Sequence, residues 1–366
     1  MISIIGAGPA GNYAAYQLAK NGYDVNVFEE HAEIGKPVAC TGIVTNAFSE
    51  IIKEKSFIIN KINRIRIFSP NNEYVQFNLK KPDLIIDREK FDLYLAGIAE
   101  KEGVSFFLKH RFKGFENKNG KYLLKILNNK KIKTFGTDYI IGADGPNSEV
   151  AKSAGLYKDR KFFFGVQARV KVKNENIVET YLIKKGFAWV VPENQDTARV
   201  GLCSQEKDYN LVFTQFMKKR LGKNFKTKIL SYQAGLIPIF NKNIKANKDN
   251  IFLIGDAATF VKAASAGGIV QGLFSAECVT ESIIKNISYE KLWKKRLYKD
   301  LYYSLLIRRM LDKFKDKDYN FLVELFQQEK LKSVLEEYER DYPAKFALKL
   351  LLKEPRLLYF SKFLFE

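Results

Sequence analysis

The chain has 366 residues, 46% of them hydrophobic, so its composition excludes a disordered protein and allows one or two large cores. The net charge of +20 comes without any recognisable nucleic-acid-binding module, which argues against nucleic acid as a partner. Three scattered cysteines and two histidines offer no metal-ligand cluster, so we expect a metal-free protein of the reducing cytoplasm.

The first thirty residues predict a βαβ unit. Residues 2–5 form a short apolar strand, residues 12–21 an amphipathic helix, and residues 25–28 a second strand. No basic region precedes an apolar run here, so we expect no secretory signal. The longest apolar stretch, residues 251–270, carries Asp256 and is not expected to span a membrane.

The turn of this unit is GAGPAG, residues 6–11, which is typical of dinucleotide-binding proteins. Gly6 permits the tight turn after the strand, and Gly8 lets the backbone approach a pyrophosphate. Gly11 lets the helix pack closely on the strand, so that its free amides face the phosphates. Glu29, at the end of the second strand, is placed to accept hydrogen bonds from ribose hydroxyls.

The remaining pattern alternates between strands and helices. In chain order it predicts a hairpin of strands 64–68 and 74–79, a helix over 88–102, a strand and meander over 104–137, a strand over 139–141, a mostly β segment over 162–240 interrupted by a helix over 211–221, a strand over 251–254, a helix over 268–284, and further helices from 289 onward.

These elements predict an α/β protein: a Rossmann-type dinucleotide-binding domain, a β-sheet substrate domain and a helical C-terminal region. The predicted boundaries are residues 1–60, 82–160 and 246–286 for the discontinuous dinucleotide-binding domain, 61–81 and 161–245 for the substrate domain, and 287–366 for the helical region.

The glycine loop alone leaves open whether the dinucleotide is NAD or FAD. The second half of the chain favours FAD, because Asp256 ends a strand shortly before the glycine pair Gly267 and Gly268. A carboxylate there is placed beside a ribityl chain, and helix amides beside a flavin ring. Arg88, which opens a helix, is placed to reach the pyrophosphate or the flavin edge.

Three motifs together resemble the para-hydroxybenzoate hydroxylase group of flavoproteins: GAGPAG, GADG at residues 142–145 and GDAA at residues 255–258. Within that group the chain resembles the geranylgeranyl reductase family. The resemblance lies in KPVACTG (36–42), GFAWVVP (186–192) and GDAATFVKAASAGGI (255–269). The family usually has Tyr at position 187 and Phe at 191, and some members have Pro at 263.

The resemblance implies an FAD site and a substrate wall. The implied cofactor contacts are Ala10, Glu29, Cys40, Thr41, Gly42, Arg88, Phe112, Asp256, Gly268 and Ile269. The glycine-loop residues Gly6, Gly8 and Gly11, and Gly267 next to Gly268, complete the candidate cofactor site. Phe187, Trp189 and Pro192 are implied to line the substrate. Asp144 of GADG either caps the next helix or lies near the FAD phosphates.

The activity that the resemblance implies is reduction of isolated double bonds in polyprenyl chains, on ether-linked lipids. Cys40 is the expected proton donor or relay, since no histidine is placed for that step. The electron donor stays open between ferredoxin, reduced flavin and NAD(P)H. A flavin monooxygenase or halogenase, and a non-catalytic lipid-binding flavoprotein, are the alternatives.

A basic amphipathic helix over residues 291–305 is the expected site of a peripheral contact with the inner face of the membrane. Its apolar stripe, at four-residue spacing, consists of Trp293, Leu297, Leu301 and Leu305. Its basic residues are Lys291, Lys294, Lys295, Arg296 and Lys299. The alternative is a helix packed on its own domain with solvated lysines.

Overall fold

The computed structural model describes residues 1–338 and 341–365, the last of these by its backbone alone. The strands are β1 (Ile2–Ile5), β2 (Val25–Phe28), β3 (Ile43–Val44), β4 (Ile58–Phe68), β5 (Tyr74–Ile86), β6 (Ser105–Phe107), β7 (Arg111–Lys118), β8 (Lys121–Asn128), β9 (Lys131–Thr137), β10 (Tyr139–Gly142), β11 (Phe162–Lys171), β12 (Ile177–Ile183), β13 (Gly186–Pro192), β14 (Thr197–Ser204), β15 (Ile229–Pro238), β16 (Asn247–Lys248) and β17 (Ile251–Leu253).

The α-helices are α1 (Pro9–Lys20), α2 (Asn46–Ile51), α3 (Arg88–Lys101), α4 (Glu149–Ser153), α5 (Tyr209–Leu221), α6 (Ile269–Lys285), α7 (Tyr289–Trp293), α8 (Lys299–Lys313), α9 (Asp316–Phe326), α10 (Glu329–Glu337), α11 (Pro343–Lys353) and α12 (Lys362–Phe365). Short 3-10 turns cover Phe225–Lys228, Gly255–Ala258 and Pro355–Ser361, and a π-helical turn, Lys294–Tyr298, joins α7 to α8.

A six-stranded sheet with the order β16-β17-β10-β1-β2-β6 forms the dinucleotide-binding part. All its pairings are parallel except that of β16 with β17. In this register Ile5 lies beside both Phe28 and Gly142. Because β1, β10 and β17 end at the same edge, the loops GAGPAG, GADG and GDAA meet there. The predicted α/β fold class is confirmed.

Helix α1 begins at Pro9, three residues before the predicted start at residue 12. Proline suits the first helical position, since the amide it lacks would have no partner within the helix. The glycine loop is therefore shorter than the motif, and its last three residues already belong to the helix. This brings the helix amides directly behind Gly8.

An eight-stranded sheet with the order β15-β11-β14-β13-β12-β4-β5-β3 forms the second layer. Strand β13 presents alternate residues to opposite sides of the sheet. Phe187 and Trp189 face the large core shared with the first sheet, whereas Ala188 and Val190 pack under α5.

The predicted hairpin over 64–68 and 74–79 is present but longer than predicted. Strand β5 continues through Pro82 to Ile86, and its pairing with β4 is irregular between Ile62 and Arg64. That irregularity accommodates a proline, which has no amide to donate to the ladder. Both strands extend beyond the range 61–81 that the sequence analysis assigned to the substrate domain.

The helical region after residue 287 packs against both sheets. Trp293, Leu297, Leu301 and Leu305 are buried in the main core, and the Trp293 ring lies 4.8 Å from the Phe260 ring. The prediction that this stripe contacts a membrane is wrong, because tertiary packing already covers it. Among the described residues, we find no helix with the length and apolar character needed to cross a bilayer.

Candidate flavin site

A cavity of about 880 Å³ lies between the two sheets and the C-terminal helices. Its lining contains most of the residues that the sequence analysis assigned to cofactor and substrate: Gly8, Ala10, Cys40, Thr41, Gly42, Arg88, Phe187, Trp189, Asp256, Gly267, Gly268 and Ile269. Tertiary folding thus brings five separate segments of the chain to one space.

Five assigned residues do not line this cavity: Gly6, Gly11, Glu29, Phe112 and Pro192. Phe112 is buried in the core on β7, and Pro192 is buried with its carbonyl accepting from Asn60 Nδ2 at 3.0 Å. The side chains of Phe112 and Pro192 therefore pack away from this cavity, and the predicted contacts of these residues, through the backbone in the case of Phe112, stay predictions.

The three motif glycines have different surroundings. A Cβ on Gly6 would lie 2.5 Å from the carbonyl oxygen of Ala143, and one on Gly11 would collide with the Gly6 carbonyl. A Cβ on Gly8 would meet nothing within 4 Å, although Gly8 lines the cavity. The open space at Gly8, in front of the α1 amides, has the form of a pyrophosphate cradle.

Glu29 holds the glycine loop from the end of β2. Its Oε2 accepts from the amide of Ala7 at 2.8 Å, and its Oε1 accepts from the amide of His31 at 2.9 Å. Its side chain is largely buried. The carboxylate therefore lies beside the first turn of the dinucleotide loop.

Asp144 and Ser148 share the start of helix α4. Ser148 is the capping residue, since its Oγ accepts from the amide of Ala151 at 2.9 Å, and Asp144 Oδ2 accepts from the amide of Val150 at 3.0 Å. The other oxygen of Asp144 is buried and has no hydrogen-bond partner among the described residues. Burial raises the pKa of Asp144 above its usual range. The prediction that Asp144 contacts the helix start and the prediction that it lies near the phosphates are thus compatible.

Asp256, in the GDAA loop, lines the cavity with its carboxylate side chain. Burial raises its pKa to about 6, although the positive charges of Arg88 and Arg160 oppose that shift. Arg160 was not identified from the sequence. Its guanidinium donates to the carbonyls of Pro146 at 2.9 Å and Ala257 at 2.8 Å, so it ties the GADG loop to the GDAA loop.

Arg88 lies at the start of α3 and faces the cavity. It forms an ion pair with Asp92 at 3.0 Å, one turn along the helix. Burial lowers the pKa of Arg88, but the charge of Asp92 and the Cys40 side chain raise it above its ordinary value. The guanidinium is therefore cationic, donates to Asp92 and lies beside the Cys40 side chain.

The loop 36–42 is held to the substrate sheet by Arg199, which the sequence analysis missed. Its Nη1 donates to the Thr41 carbonyl at 2.5 Å, and its Nε pairs with Glu193 at 2.7 Å. Gly42 has φ +71°, and a Cβ there would lie 2.7 Å from Arg199 Nη1. Only glycine fits this position, because both the backbone conformation and the close approach exclude a side chain. The amide of Gly42 in turn donates to Cys40 Sγ at 3.3 Å.

The far wall of the cavity carries a second polar cluster. Asp341 forms a buried ion pair with Lys262 and accepts from the Thr45 hydroxyl and, at 3.0 Å, from Gln271 Nε2. Burial opposes ionisation of Asp341, but Lys262 and these hydrogen bonds lower its pKa. The pair connects the GDAATFVKAASAGGI loop to the helical C-terminal region. No motif in the sequence predicts the contact between Lys262 and Asp341, which lie 79 positions apart.

Comparison with known proteins tests the assignment. The FAD binding domain model matches residues 50–277, and an NAD(P)-binding Rossmann-like domain model matches residues 4–41. A digeranylgeranylglycerophospholipid reductase of Methanococcus vannielii is 30% identical, with 99% of this chain and 97% of that protein aligned. This chain belongs to the digeranylgeranylglycerophospholipid reductase family. The predicted membership of the geranylgeranyl reductase family is confirmed.

A second relative and two solved structures are also similar to this chain. The digeranylgeranylglycerophospholipid reductase of Methanocaldococcus jannaschii is 28% identical over 99% of this chain and 97% of its own length. A crystal structure of a geranylgeranyl bacteriochlorophyll reductase-like protein from Thermoplasma acidophilum has a TM-score of 0.86 at 24% identity, covering 99% of this chain and 98% of that one. A flavin-dependent halogenase has a TM-score of 0.69 at 17% identity, covering 98% of this chain and 77% of that one, which shows a shared fold.

As a member of this reductase family, the chain is an FAD-dependent oxidoreductase, and its residues fit that cofactor. Gly8 and the α1 amides would hold the pyrophosphate, while Asp256 and the loop before α6 would hold the ribityl chain and ring. The open cradle at Gly8 and the unpartnered Asp144 oxygen are consistent with a bound dinucleotide.

Proposed function

We propose that this protein hydrogenates isolated carbon–carbon double bonds of geranylgeranyl chains, on ether-linked membrane lipids. The observation that carries the proposal is the composition of the cavity. One end holds the flavin-site residues, and the remainder is lined by apolar side chains from β4, β5, β12 and the C-terminal helices. Among these are Ile65, Ile67, Val75, Phe77, Leu79, Leu182, Leu322 and Leu335. Such a space suits a long hydrocarbon chain and excludes water.

Bound FAD, once reduced, supplies the hydride for this reaction. The protein's own residues would orient the chain and provide the proton. Trp189 and Phe187, whose rings lie 5.7 Å apart, form the wall beside residues 36–42, here called the Cys loop. Cys40 is the proposed source or relay of the proton at its Sγ, supported by its position in the cavity lining and beside Arg88. A water held by Cys40 would satisfy the same requirement.

The electron donor is proposed to be an external carrier: ferredoxin, a reduced flavin or NAD(P)H. The sequence contains one GxGxxG motif, and the Rossmann unit that carries it is the FAD site. The net charge of +20 would favour association with an acidic carrier. A peripheral position at the inner face of the membrane is likewise part of the proposal, since the substrate is a lipid.

The test is mass spectrometry of geranylgeranyl ether lipids after anaerobic incubation with chemically reduced holoenzyme. We expect the lipid to gain the mass of two hydrogen atoms for each double bond reduced, and the reaction to proceed without oxygen. Consumption of oxygen that depends on substrate would instead identify a monooxygenase or halogenase. A flavin that no reductant and lipid together can turn over would identify a non-catalytic lipid-binding flavoprotein.

A further inference from the structure

The cavity opens to solvent in the C-terminal region. Leu358, in the turn Pro355–Ser361, and Leu364, in α12, both line the cavity, yet they are 56% and 36% exposed. Ala39 and Ser265, at the flavin end, also line the cavity and are exposed, whereas Leu358 and Leu364 mark an apolar opening, here called the mouth. This mouth lies among the helices of the C-terminal region, which also supply its inner lining from Phe346 and Leu350.

Helix α11 beside the mouth is apolar on two faces. Phe346 and Leu350 are buried, whereas Leu348 and Leu352, one turn apart, are 68% and 74% exposed. A helix that needed only to pack on its own domain would carry polar residues on the outer face. The exposed leucines of α11 and those of the mouth together form an apolar surface, here called the mouth face.

Basic side chains flank the mouth face. Lys345, Lys349 and Lys353 recur at four-residue spacing along α11, in a row beside Leu348 and Leu352. Residues 343–364 contain five basic residues and one acidic residue, Glu354. Glu354 is paired with Lys330 and Arg356, and Lys349 is paired with Glu337 at 2.9 Å. The excess of positive charge in this segment therefore lies with Lys345, Lys353 and Lys362. Exposed leucines beside lysines are the arrangement of a helix that lies in a membrane interface.

We propose that the mouth face is a docking surface for an anionic lipid bilayer, through which a prenyl chain passes from the membrane directly into the cavity. This inference rests on the proposed function, because it assumes a lipid substrate. The leucines would enter the hydrocarbon boundary while the lysines meet headgroup phosphates. A protein partner is the less suitable occupant, since Leu358 and Leu364 of the mouth face also line an apolar cavity.

Flotation of holoenzyme with vesicles tests the proposal. The test variant is Leu348→Ser/Leu352→Ser, and the matched control is Leu93→Ser/Leu211→Ser, which changes leucines that are 49% and 57% exposed on α3 and α5. We expect binding of the wild type and control to anionic vesicles in low salt, with weaker binding to neutral vesicles or in high salt. The test variant should partition about tenfold less. A test variant that floats like the wild type overturns the proposal.

A fluorescent reporter provides a second measurement that does not depend on lost binding. The two natural tryptophans, Trp189 and Trp293, are both buried, so a Leu352→Trp variant adds the one exposed indole among the described residues. We expect a blue shift on anionic vesicles and quenching by brominated lipid, with neither effect in a Leu211→Trp control. An unchanged Leu352→Trp spectrum with bound vesicles would place the contact elsewhere and overturn the proposal.

Turnover assays separate this proposal from the proposed function. The test variant should keep its rate on a detergent-dispersed geranylgeranyl substrate and lose about tenfold on the same lipid in vesicles. If the wild type reduces neither form, the proposed function fails, and flotation still decides the docking surface. If the variant floats normally but accepts electrons from its donor slowly, the mouth face binds a protein, and the bilayer proposal is overturned.

Discussion

The indole N–H of Trp189 donates to Oε1 of Gln167 across 3.2 Å, and the same oxygen accepts from the Thr41 hydroxyl at 2.9 Å. The Nε2 of Gln167 donates to the Cys40 carbonyl at 3.2 Å and to Gln233 Oε1. One buried amide thus joins the aromatic wall of the cavity to the Cys loop. Because indole is only a donor and a carbonyl only an acceptor, these partners fix the orientation of the Gln167 amide.

Replacing Gln167 by leucine should disconnect the Cys loop. The Trp189 N–H, the Thr41 hydroxyl and the Cys40 carbonyl would each lose a partner, and a buried unpaired polar group costs ~1–3 kcal/mol. We expect a lower midpoint temperature of unfolding and faster alkylation of Cys40 in the holoenzyme. The exposed Gln195→Leu is the control. An alkylation rate equal to that of the wild type would show that Gln167 does not position the loop.

Trp189→Ala should impair turnover of prenyl lipid far more than it impairs FAD binding. The side chain lines the cavity, so its loss widens the space that holds the chain. Trp189→Phe, which keeps an aromatic wall but removes the hydrogen bond to Gln167, should retain most of the activity. FAD content from absorbance and lipid reduction from mass spectrometry give the two quantities. Equal losses of both would identify Trp189 as an ordinary core residue.

Cys40→Ala and Cys40→Ser test the proton step. If the thiol donates or relays the proton, both variants should bind FAD normally and reduce lipid more slowly, with a changed solvent-deuterium effect. Serine should retain more activity than alanine when a bound water carries the proton. Cys203→Ala is the control, since Cys203 is buried away from the cavity lining and burial raises its pKa to about 12. Wild-type rates in both Cys40 variants, at full FAD content, would remove Cys40 from the proton step.

Asp256→Asn should stabilise the apoprotein and weaken its binding of FAD. The raised pKa of about 6 means that the folded state holds this proton more tightly than the unfolded state. The wild-type apoprotein therefore loses stability as the pH rises from about 4 to about 6, whereas the variant does not. Since the side chain faces the cavity, water reduces the effect, and we expect a gain of ~1–2 kcal/mol at pH 7. Denaturant unfolding at pH 4 and pH 7 measures this gain in stability. A variant less stable than the wild type at pH 7 would mean that Arg88 and Arg160 stabilise the negative charge of Asp256 enough to offset its burial.

Substitutions of Lys262 and Asp341 should have strongly coupled effects on the free energy of unfolding. Lys262→Met leaves a buried carboxylate without its cation, which typically costs ~3–5 kcal/mol, and the double variant Lys262→Met/Asp341→Leu should be less destabilised than the sum of the single variants. Lys285→Met, which breaks an exposed pair with Glu281 at 2.9 Å, should change stability by less than ~1 kcal/mol. Thermal unfolding of Lys262→Met, Asp341→Leu, the double variant and Lys285→Met gives the coupling free energy between Lys262 and Asp341. Additive effects of the two single variants would contradict the prediction.

Local patterns determined the cofactor-binding half of the site. The glycine spacing of GAGPAG, the strand before it and the carboxylates at strand ends are requirements that neighbouring residues satisfy by themselves. For this reason the sequence predicted Gly8, Arg88 and Asp256, and the family resemblance added Cys40; all four line the cavity. The family itself was indicated by the resemblance of three motifs, KPVACTG, GFAWVVP and GDAATFVKAASAGGI, which occur in the family's order along the chain.

Tertiary structure alone decided the contacts between distant segments. Gln167 and Arg199 lie on strands with no motif, and each acquires its role when the substrate sheet packs against the Cys loop. The stripe Trp293–Leu305 has the spacing of an interfacial helix, yet packing buries it. The leucines of α11 have equally ordinary spacing, yet they remain exposed beside the cavity mouth. Periodicity specifies that a helix has an apolar face, whereas only the neighbours present in the folded chain determine whether protein or solvent covers that face.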